Sequence, residues 1–213
     1  IGGPMRIGLD FGTTNSGAAH FDGQQVHPFA LDPASRDPTV ARSMLYITRE
    51  GEVYVGQEAI DRYYAQNAGR PSRMVRQHVG EIEITTGDVG TVKGYPVGPT
   101  TIVRDVHVLV DELAPGRLLH ALKSALGTAY EGTSIFGQAY TLESLIATYL
   151  GELRRRIEAE AGERVEGVVL GRPVHFEGEA RLRRAAEMAG LGEVSFELEP
   201  VAAAGAMAER STS

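Results

Sequence analysis

IGLDFGTTNSGAAHF, residues 7–21, is the stretch from which the fold of this 213-residue chain is predicted. A short apolar run ends in Asp10, a turn-prone segment of glycine, threonine and asparagine follows, and a second short run leads to Asp22-Gly23. Two short strands joined by such a turn predict a β-hairpin. Asp22-Gly23 predicts the next tight turn, so the chain is expected to continue as a meander.

The turn of this hairpin contains residue types that suit a phosphate group. Backbone N–H groups at a glycine followed by Thr13 and Thr14 can point into one concavity, and the threonine hydroxyls add donors. Asp10 is placed to hold a hydrated Mg²⁺ beside them, because magnesium commonly keeps waters and takes one or two carboxylates. The Gly-rich patterns of a Walker A loop and of a dinucleotide fingerprint are missing. Taken alone, the segment is also compatible with an ordinary hairpin turn.

The rest of the chain alternates between strand and helix patterns. The apolar run 165–171 is typical of a strand buried on both faces. Strands are also predicted at 43–47, 53–56, 194–198 and within 80–110, and helices at 57–67, 115–127, 141–161, 178–190 and 200–208. This order indicates an α/β domain with a partly parallel sheet.

The helix predicted over 141–161 has the clearest pattern in the sequence. Thr141 is expected to cap it, and its apolar stripe includes Leu145, Tyr149 and Leu153. Its charged residues, among them Arg154-Arg155-Arg156, are predicted to form the solvated face. We expect the stripe to pack on a sheet that contains both strand 6–11 and strand 165–171.

The composition excludes several classes of function. With 21 basic and 28 acidic residues, the net charge of −7 leaves no basic excess for a nucleic-acid surface. The absence of cysteine excludes disulfides, thiolate zinc sites and cysteine nucleophiles. No apolar run approaches the ~20 residues of a membrane helix. We therefore expect a cytoplasmic protein without nucleic-acid or membrane partners, in which residues 1–4 are a cloning remnant before Met5.

Three segments together resemble the seventy-kilodalton heat-shock (DnaK-like) chaperone family of the actin-like and sugar-kinase ATPase superfamily. IGLDFGTTNS (7–16) is similar to its first phosphate motif, and VLGRPVHF (169–176) to its strand ending in a proline and an aromatic residue. EPVAAAGA (199–206) is similar to its Asn-Glu-Pro-Thr-Ala-Ala-Ala segment. The second and third segments are closer to the YegD-like branch than to DnaK itself. Only about 48–110 falls outside the resemblance.

The resemblance implies an α/β fold, one lobe of an actin-like (ribonuclease H-like) ATPase domain. A core subdomain over 5–38 and 136–213 would contain a mixed five-stranded sheet with flanking helices, and 39–135 would form an inserted smaller α+β subdomain. The family continues with a second phosphate loop, Asp-x-Gly-Gly-Gly-Thr, which this sequence lacks. We therefore expect an N-terminal lobe that holds half of an ATP site and is inactive alone.

Site residues follow from the resemblance position by position. Asp10 matches the ligand of the magnesium waters, and Glu199 matches a glutamate beside those waters and the nucleotide. Pro173 matches a proline that switches between nucleotide states, and Arg181 an arginine that relays the switch. The phosphate hairpin corresponds to Gly12, Thr13, Thr14 and Asn15.

The family also places a lysine of its smaller subdomain beside the γ-phosphate, where its charge orients water and offsets developing negative charge. Lys123, in ALKSALG (121–127), resembles the Lys-Ser-Phe-Leu-Gly segment of the YegD-like branch. Arg76 is the weaker rival. The six histidines show no paired metal-ligand spacing.

The resemblance thus implies a molecular chaperone that, at full length, binds and hydrolyses ATP with Mg²⁺. ATP and ADP, unfolded client proteins and co-chaperones would be its partners. Two alternatives stay open at this point. One is a small-molecule, sugar-type kinase of the same superfamily, and the other is an actin-like assembly protein.

Overall fold

The structure is a computed structural model that describes residues 5–86, 90–92, 95–97 and 100–198, with side chains over 5–78 and 107–198. Its contacts divide the chain into two compact units. Ile1–Ala68 and Pro115–Ser213 form unit 1, and Gly69–Ala114 forms unit 2. The subdomain boundaries expected from the resemblance, 5–38 with 136–213 and 39–135, stay a prediction.

Unit 1 contains eleven of the strands and all four helices described. Its strands are β1 (Met5–Phe11), β2 (Asn15–Phe21), β3 (Val26–Pro28), β4 (Ala41–Arg42), β5 (Met44–Thr48), β6 (Val53–Val55), β11 (Gly116–His120), β12 (Gly132–Ile135), β13 (Gln138–Thr141), β14 (Val165–Arg172) and β15 (Glu193–Leu198). Its helices are α1 (Gln57–Asn67), α2 (Leu122–Ala125), α3 (Leu142–Ala161) and α4 (Glu179–Met188). Unit 2 contains β7 (Met74–Thr86), β8 (Gly90–Val92), β9 (Tyr95–Val97) and β10 (Thr100–Asp111).

The largest sheet has the order β15-β14-β1-β2-β3, and the two-residue β4 pairs with β2 as a sixth strand. β1 runs antiparallel to β2 and parallel to β14, which in turn runs parallel to β15. The sheet is therefore mixed, and the chain has an α/β architecture with flanking helices. The predicted hairpin and the shared sheet of strands 6–11 and 165–171 are confirmed.

Alternation of side chains explains how β1 joins the core. Met5, Ile7, Leu9 and Phe11 are buried, whereas the residues between them are exposed. One face of a strand with this period of two packs inward and the other faces solvent. The ring centroids of Phe11 and Tyr149 lie 5.8 Å apart, so α3 packs against this inward face. β14 departs from the prediction at Glu166, which is exposed.

The long helix α3 begins and ends as its sequence predicts. The Thr141 hydroxyl accepts a hydrogen bond from the backbone N–H of Ser144, and Gly162 adopts a φ of 69° at the other end. Leu145, Tyr149 and Leu153 are all buried in the core of unit 1. None of the helices among the described residues has both the length and the apolar character that a membrane crossing requires.

Arg156 contradicts the prediction of a fully solvated charged face on α3. Its side chain is only 14% exposed, and it donates to the carbonyl of Leu31 at 2.8 Å. It also pairs with Glu152 at 3.0 Å on the same helix. Arg155, by contrast, is 70% exposed as predicted. One arginine of the three therefore ties α3 to the segment after β3.

The helix predicted over 115–127 is wrong. Residues 116–120 form β11, which pairs antiparallel with β5, and only 122–125 are helical. Ala121 separates the two with a φ of 54°, in the left-handed region. The leucines of this segment fit a helical stripe, but pairing with β5 satisfies the backbone of 116–120 over a long distance in sequence. Tertiary pairing therefore overrides the local pattern.

Unit 2 is built on a ribbon of two long strands. β7 and β10 pair antiparallel from Met74↔Asp111 to Thr86↔Thr100, with an irregularity between Val106 and His107. β8 and β9 form a second antiparallel pair. The strands predicted within 80–110 are confirmed, and the turns predicted between them lie outside the described residues. At the base of the ribbon, Arg70 and Asp111 form an ion pair of 2.7 Å.

Candidate functional site

The candidate site lies where parallel strands of the large sheet end. β1, β14 and β15 run in the same direction, so their carboxyl ends lie at one edge of the sheet. In open α/β sheets, ligands bind in the crevice outside that edge. The β1–β2 turn follows β1 there, and Pro173 follows β14.

The β1–β2 turn is tight because of Gly12. Its N–H donates to the Asn15 carbonyl at 2.9 Å, and a Cβ added at Gly12 would clash with that same oxygen. Any side chain at this position would therefore force the turn open. Thr13 and Thr14 lie at the tip, and both are exposed.

Two buried serines hold the turn from below. The Ser43 hydroxyl donates to the Gly12 carbonyl at 2.8 Å, and the Ser43 N–H donates to the Thr14 carbonyl at 2.9 Å. The Ser16 and Ser43 hydroxyl oxygens are 2.9 Å apart. Within the part of the chain that the structure describes, no hydrogen bond engages the backbone N–H of Thr13 or Thr14. The carbonyls of the turn are thus occupied, and two of its N–H groups are available to an anion.

The phenol of Tyr149 also supports this region, as a neutral hydrogen-bond donor. Burial is the main reason why the pKa of its phenol is raised to about 12. Its hydroxyl donates to the carbonyl of Arg42 at 3.0 Å, one residue before Ser43. A phenol with this pKa stays protonated at neutral pH, so the support of the turn does not change with pH in that range.

A cavity of about 320 Å³ opens beside the turn. Residues that are far apart in sequence surround it, including Thr13, Lys123 and Pro173. It is lined by Thr13, Lys123, Ser124, Gly127, Pro173, His175, Phe176 and Glu177. The structure thus brings the predicted phosphate turn, the predicted lysine and the predicted proline to one place.

Lys123 reaches the cavity from α2. Its Nζ lies 5.9 Å from the ring centroid of Phe176, within the range of a cation–π contact. The neighbouring Ser124 hydroxyl lies 3.3 Å from that of Thr13. Residues that carry an ammonium group (Lys123) and hydroxyl groups (Thr13 and Ser124) therefore line one concavity, and such donors fit the oxygens of a phosphate chain.

Asp10 lies at the end of β1, exposed and paired in register with Gly17. A single exposed carboxylate beside the turn fits a magnesium ion that keeps most of its waters. Glu199 lies outside the described residues, as does the helix predicted over 200–208. β15 is described as far as Leu198, which pairs with Arg172. Asp10 and Glu199 meeting at one ion stays a prediction.

A metal cluster of another kind is not seen in the part of the chain that is described. No group of three or more histidine, aspartate or glutamate side chains there has the geometry to hold a metal ion. A hydrated ion held through water by one carboxylate does not need such a group.

The two remaining sequence candidates are not among the residues that line the cavity. Arg76 is an exposed residue of unit 2 on β7, opposite Leu109. Arg181 is on α4 and does not line the cavity; it forms an ion pair of 2.7 Å with Glu143. That arginine is the main cause of the lowered pKa of the Glu143 carboxyl, so this carboxyl is ionised at neutral pH.

Several residues of the site were not predicted from the sequence, among them Ser43, Ser124 and Phe176. No sequence pattern indicates Ser43, because it acts through a backbone partner, the Gly12 carbonyl, that is 31 positions away. Ser124 and Phe176 lie inside the segments that carry the resemblance, next to Lys123 and three residues after Pro173. No protein-family model matches the sequence.

Proposed function

We propose that this chain is part of the ATP-binding domain of a DnaK/YegD-like chaperone and that the cavity receives the phosphates of Mg-ATP. One observation supports this most directly. Thr13, Lys123 and Pro173 line a single cavity of about 320 Å³, and each belongs to a different segment of the chain. Two of these segments, 7–16 and 169–176, are also among the three on which the resemblance depends.

Binding would use the groups that the turn leaves free. The N–H groups and hydroxyls of Thr13 and Thr14 would donate to phosphate oxygens, as successive backbone amides do in anion-binding concavities. The Lys123 ammonium would be a charged donor beside them that acts mainly on the charge developing in the transition state. Ser43 would keep the turn in its donating orientation, because it occupies the carbonyls of Gly12 and Thr14.

Hydrolysis would proceed by in-line attack of water on the terminal phosphoryl group. A bound Mg²⁺ would supply neutralising charge, and Asp10, with Glu199, would hold it through its waters. Lys123 would orient the attacking water and offset the negative charge that develops on the transferred group. Its contribution would therefore appear mainly in turnover rather than in binding.

The chaperone part of the proposal rests on Pro173 and on the segment that follows it. Residues 173–177 include four that line the cavity, and α4 begins directly after them at Glu179. A change at the phosphates would thus reach α4 through a short connection. In the full-length protein this path would carry nucleotide state to the surfaces that bind unfolded clients and co-chaperones.

The test is the response of the full-length protein to Mg-ATP. Calorimetry should give binding that is abolished or strongly weakened in Thr13→Val/Thr14→Gly, and the amide resonances of residues 12–15 should shift on addition of ligand. Arg164→Ala is the matched control, because Arg164 is exposed and precedes β14 at the opposite, amino edge of the sheet. Turnover stimulated by unfolded peptide is expected. Turnover stimulated by a sugar alone would favour a kinase, and an absence of Mg-ATP binding would refute the proposal.

A further inference from the structure

We propose that Arg181 and Glu143 are positioning residues that hold helix α2, and with it Lys123, against the wall of the cavity. The inference rests on the proposed function for the role of Lys123. We call Arg181 and Glu143 together the clamp, and the evidence for it is the geometry of α2, α3 and α4. It gives Arg181 a task inside unit 1, in addition to the relay that the resemblance implies.

Helix α2 depends on its surroundings for its position. It has four residues and follows Ala121, whose φ is 54°. Isolated helices of this length are not stable in water. Leu122 and Leu126 are buried and fix one side of the segment. Gly178, just before α4, packs closely against Leu126, because a Cβ added at Gly178 would be only 2.5 Å from the Leu126 Cβ.

The other fixation is the guanidinium of Arg181, which lies along the chain that follows α2. Its Nη1 is 3.5 Å from the carbonyl of Leu126, the C-cap residue of α2. Its Nη2 donates to the Tyr130 carbonyl at 2.8 Å, and its Nη1 to the Thr128 carbonyl at 3.3 Å. The last carbonyls of a helix and the turn after it lack intrahelical partners, and a cation there is favourable. Arg181 thus holds the segment 126–130, which directly follows α2, from a distant part of the sequence.

Glu143 fixes the guanidinium in turn. Nε of Arg181 donates to Oε1 at 2.7 Å, and Nη2 lies 3.4 Å from Oε2. The side chains of Glu143 and Arg181 are 12% and 23% exposed, so solvent screens the pair less than a surface pair. Glu143 belongs to the first turn of α3, the helix of unit 1 with the most buried residues. The core therefore anchors Glu143, Glu143 orients Arg181, and Arg181 holds the segment that carries Lys123.

This arrangement predicts a specific kinetic effect. Lysine matches the charge of arginine but lacks the planar fork that reaches several acceptors at once. In Arg181→Lys, the carbonyls of Thr128 and Tyr130 would lose their fixed donor, and α2 would fluctuate more. Because Lys123 acts on the transition state, its displacement should lower kcat and leave the affinity for Mg-ATP nearly unchanged.

The experiment combines hydrogen exchange with kinetics on the full-length protein. In Arg181→Lys and in Glu143→Gln, exchange over 122–130 should become about tenfold faster, as expected for loss of a charged hydrogen bond worth ~1.4 kcal/mol. Exchange over 145–157 of α3 should stay unchanged, which shows that the variants fold. The rate constant kcat should fall by a similar factor of about ten, with Kd for Mg-ATP within about threefold. Arg184→Lys, an exposed arginine of α4, is the control and should match the wild type.

A double variant decides whether Arg181 acts through Lys123. If it does, Arg181→Lys should lower kcat in the wild type but add nothing in a Lys123→Ala background. Unchanged exchange over 122–130 would refute the clamp. Faster exchange with an unchanged kcat, or additive losses in the double variant, would refute the positioning role. A wild type that neither binds nor hydrolyses Mg-ATP would refute the proposed function and the positioning role together, and the exchange data would still decide the clamp.

Discussion

The hydroxyl oxygens of Thr13 and Ser124 lie 3.3 Å apart, although 111 positions separate the two residues in sequence. The β1–β2 turn and the α2 segment are therefore in direct contact. A phosphate oxygen bound at Thr13 would lie next to Ser124, the residue that follows Lys123. The contact explains how a turn and a lysine from different parts of the chain can act on one ligand.

Lys123→Ala is expected to lower ATP turnover of the full-length protein by about 10²–10³-fold, the range for removing one stabiliser of transition-state charge. Nucleotide affinity should change much less, because the free N–H groups of the turn stay in place. Single-turnover kinetics and calorimetry measure the two effects separately. A normal rate in Lys123→Ala, together with a collapse in Arg76→Ala, would assign the charge to Arg76 instead.

Gly12→Ala is expected to weaken phosphate binding and to destabilise the protein by about 1–3 kcal/mol, as overpacking does. The added methyl group would meet the Asn15 carbonyl, which the turn places against Gly12. Gly8→Ala is a suitable control on the same strand, because its nearest atom, the Ala19 carbonyl oxygen, is 3.9 Å from the added Cβ. Urea unfolding and Mg-ATP titration measure both effects. Equal stability of the two variants would contradict this account of the turn.

Ser43→Ala is expected to loosen the turn without touching the ligand. It removes the hydroxyl that donates to the Gly12 carbonyl and leaves that group and the buried Ser16 hydroxyl short of a partner. The cost should be about 1–3 kcal/mol in the free energy of unfolding. Ser35→Ala serves as a control, since the hydrogen bond described for Ser35 comes from its backbone N–H. Denaturant unfolding measures the free energy of unfolding of both variants. A loss in Ser43→Ala no larger than that in Ser35→Ala would mean that Ser43 does not support the turn.

The Glu143–Arg181 pair should make stability depend on pH in one direction. The pKa of Glu143 is lowered from its ordinary 4.5, chiefly because Arg181 bonds the carboxylate. Its contribution is therefore complete at neutral pH and is lost as the pH falls below about 4.5 toward the lowered value. The stability difference between wild type and Glu143→Gln should shrink across that window. Glu163→Gln, at an exposed glutamate, should show no such trend, and a pH-independent difference for Glu143→Gln would contradict the pairing.

The elements predicted from sequence are those whose pattern and caps are local. The alternation along β1 and the Thr141 and Gly162 ends of α3 depend on residues within a few positions, so they can be predicted from a short window. β11 could not be predicted from a short window, because its strand conformation depends on pairing with β5, some 70 positions earlier. Arg156 differs from Arg155 for the same reason, since the Leu31 carbonyl that it meets is 125 positions away.

The candidate site, too, could be predicted only in part from the sequence. Thr13, Lys123 and Pro173 were predicted one by one from the resemblance, and only the structure brings them to one cavity. Ser43 could not be predicted, because a buried serine that supports a turn has no sequence pattern of its own. Arg181 was predicted as a relay, but its hydrogen bonds to the carbonyls of Thr128 and Tyr130 depend on how α4 packs.

The two ends of the unit 2 ribbon lie next to each other, and this affects how easily the segment can be inserted, removed or exchanged. Met74 and Asp111 pair across the ribbon, and the Glu112 N–H donates to the Arg73 carbonyl at 2.9 Å, so the segment starts and finishes at one point. A piece of chain with adjoining ends can be acquired, exchanged or shortened as a block, since a tight reverse turn can bridge the gap that it leaves. The ribbon is thus a natural place for related genes to differ in length, and for a grafted peptide or reporter to be accommodated.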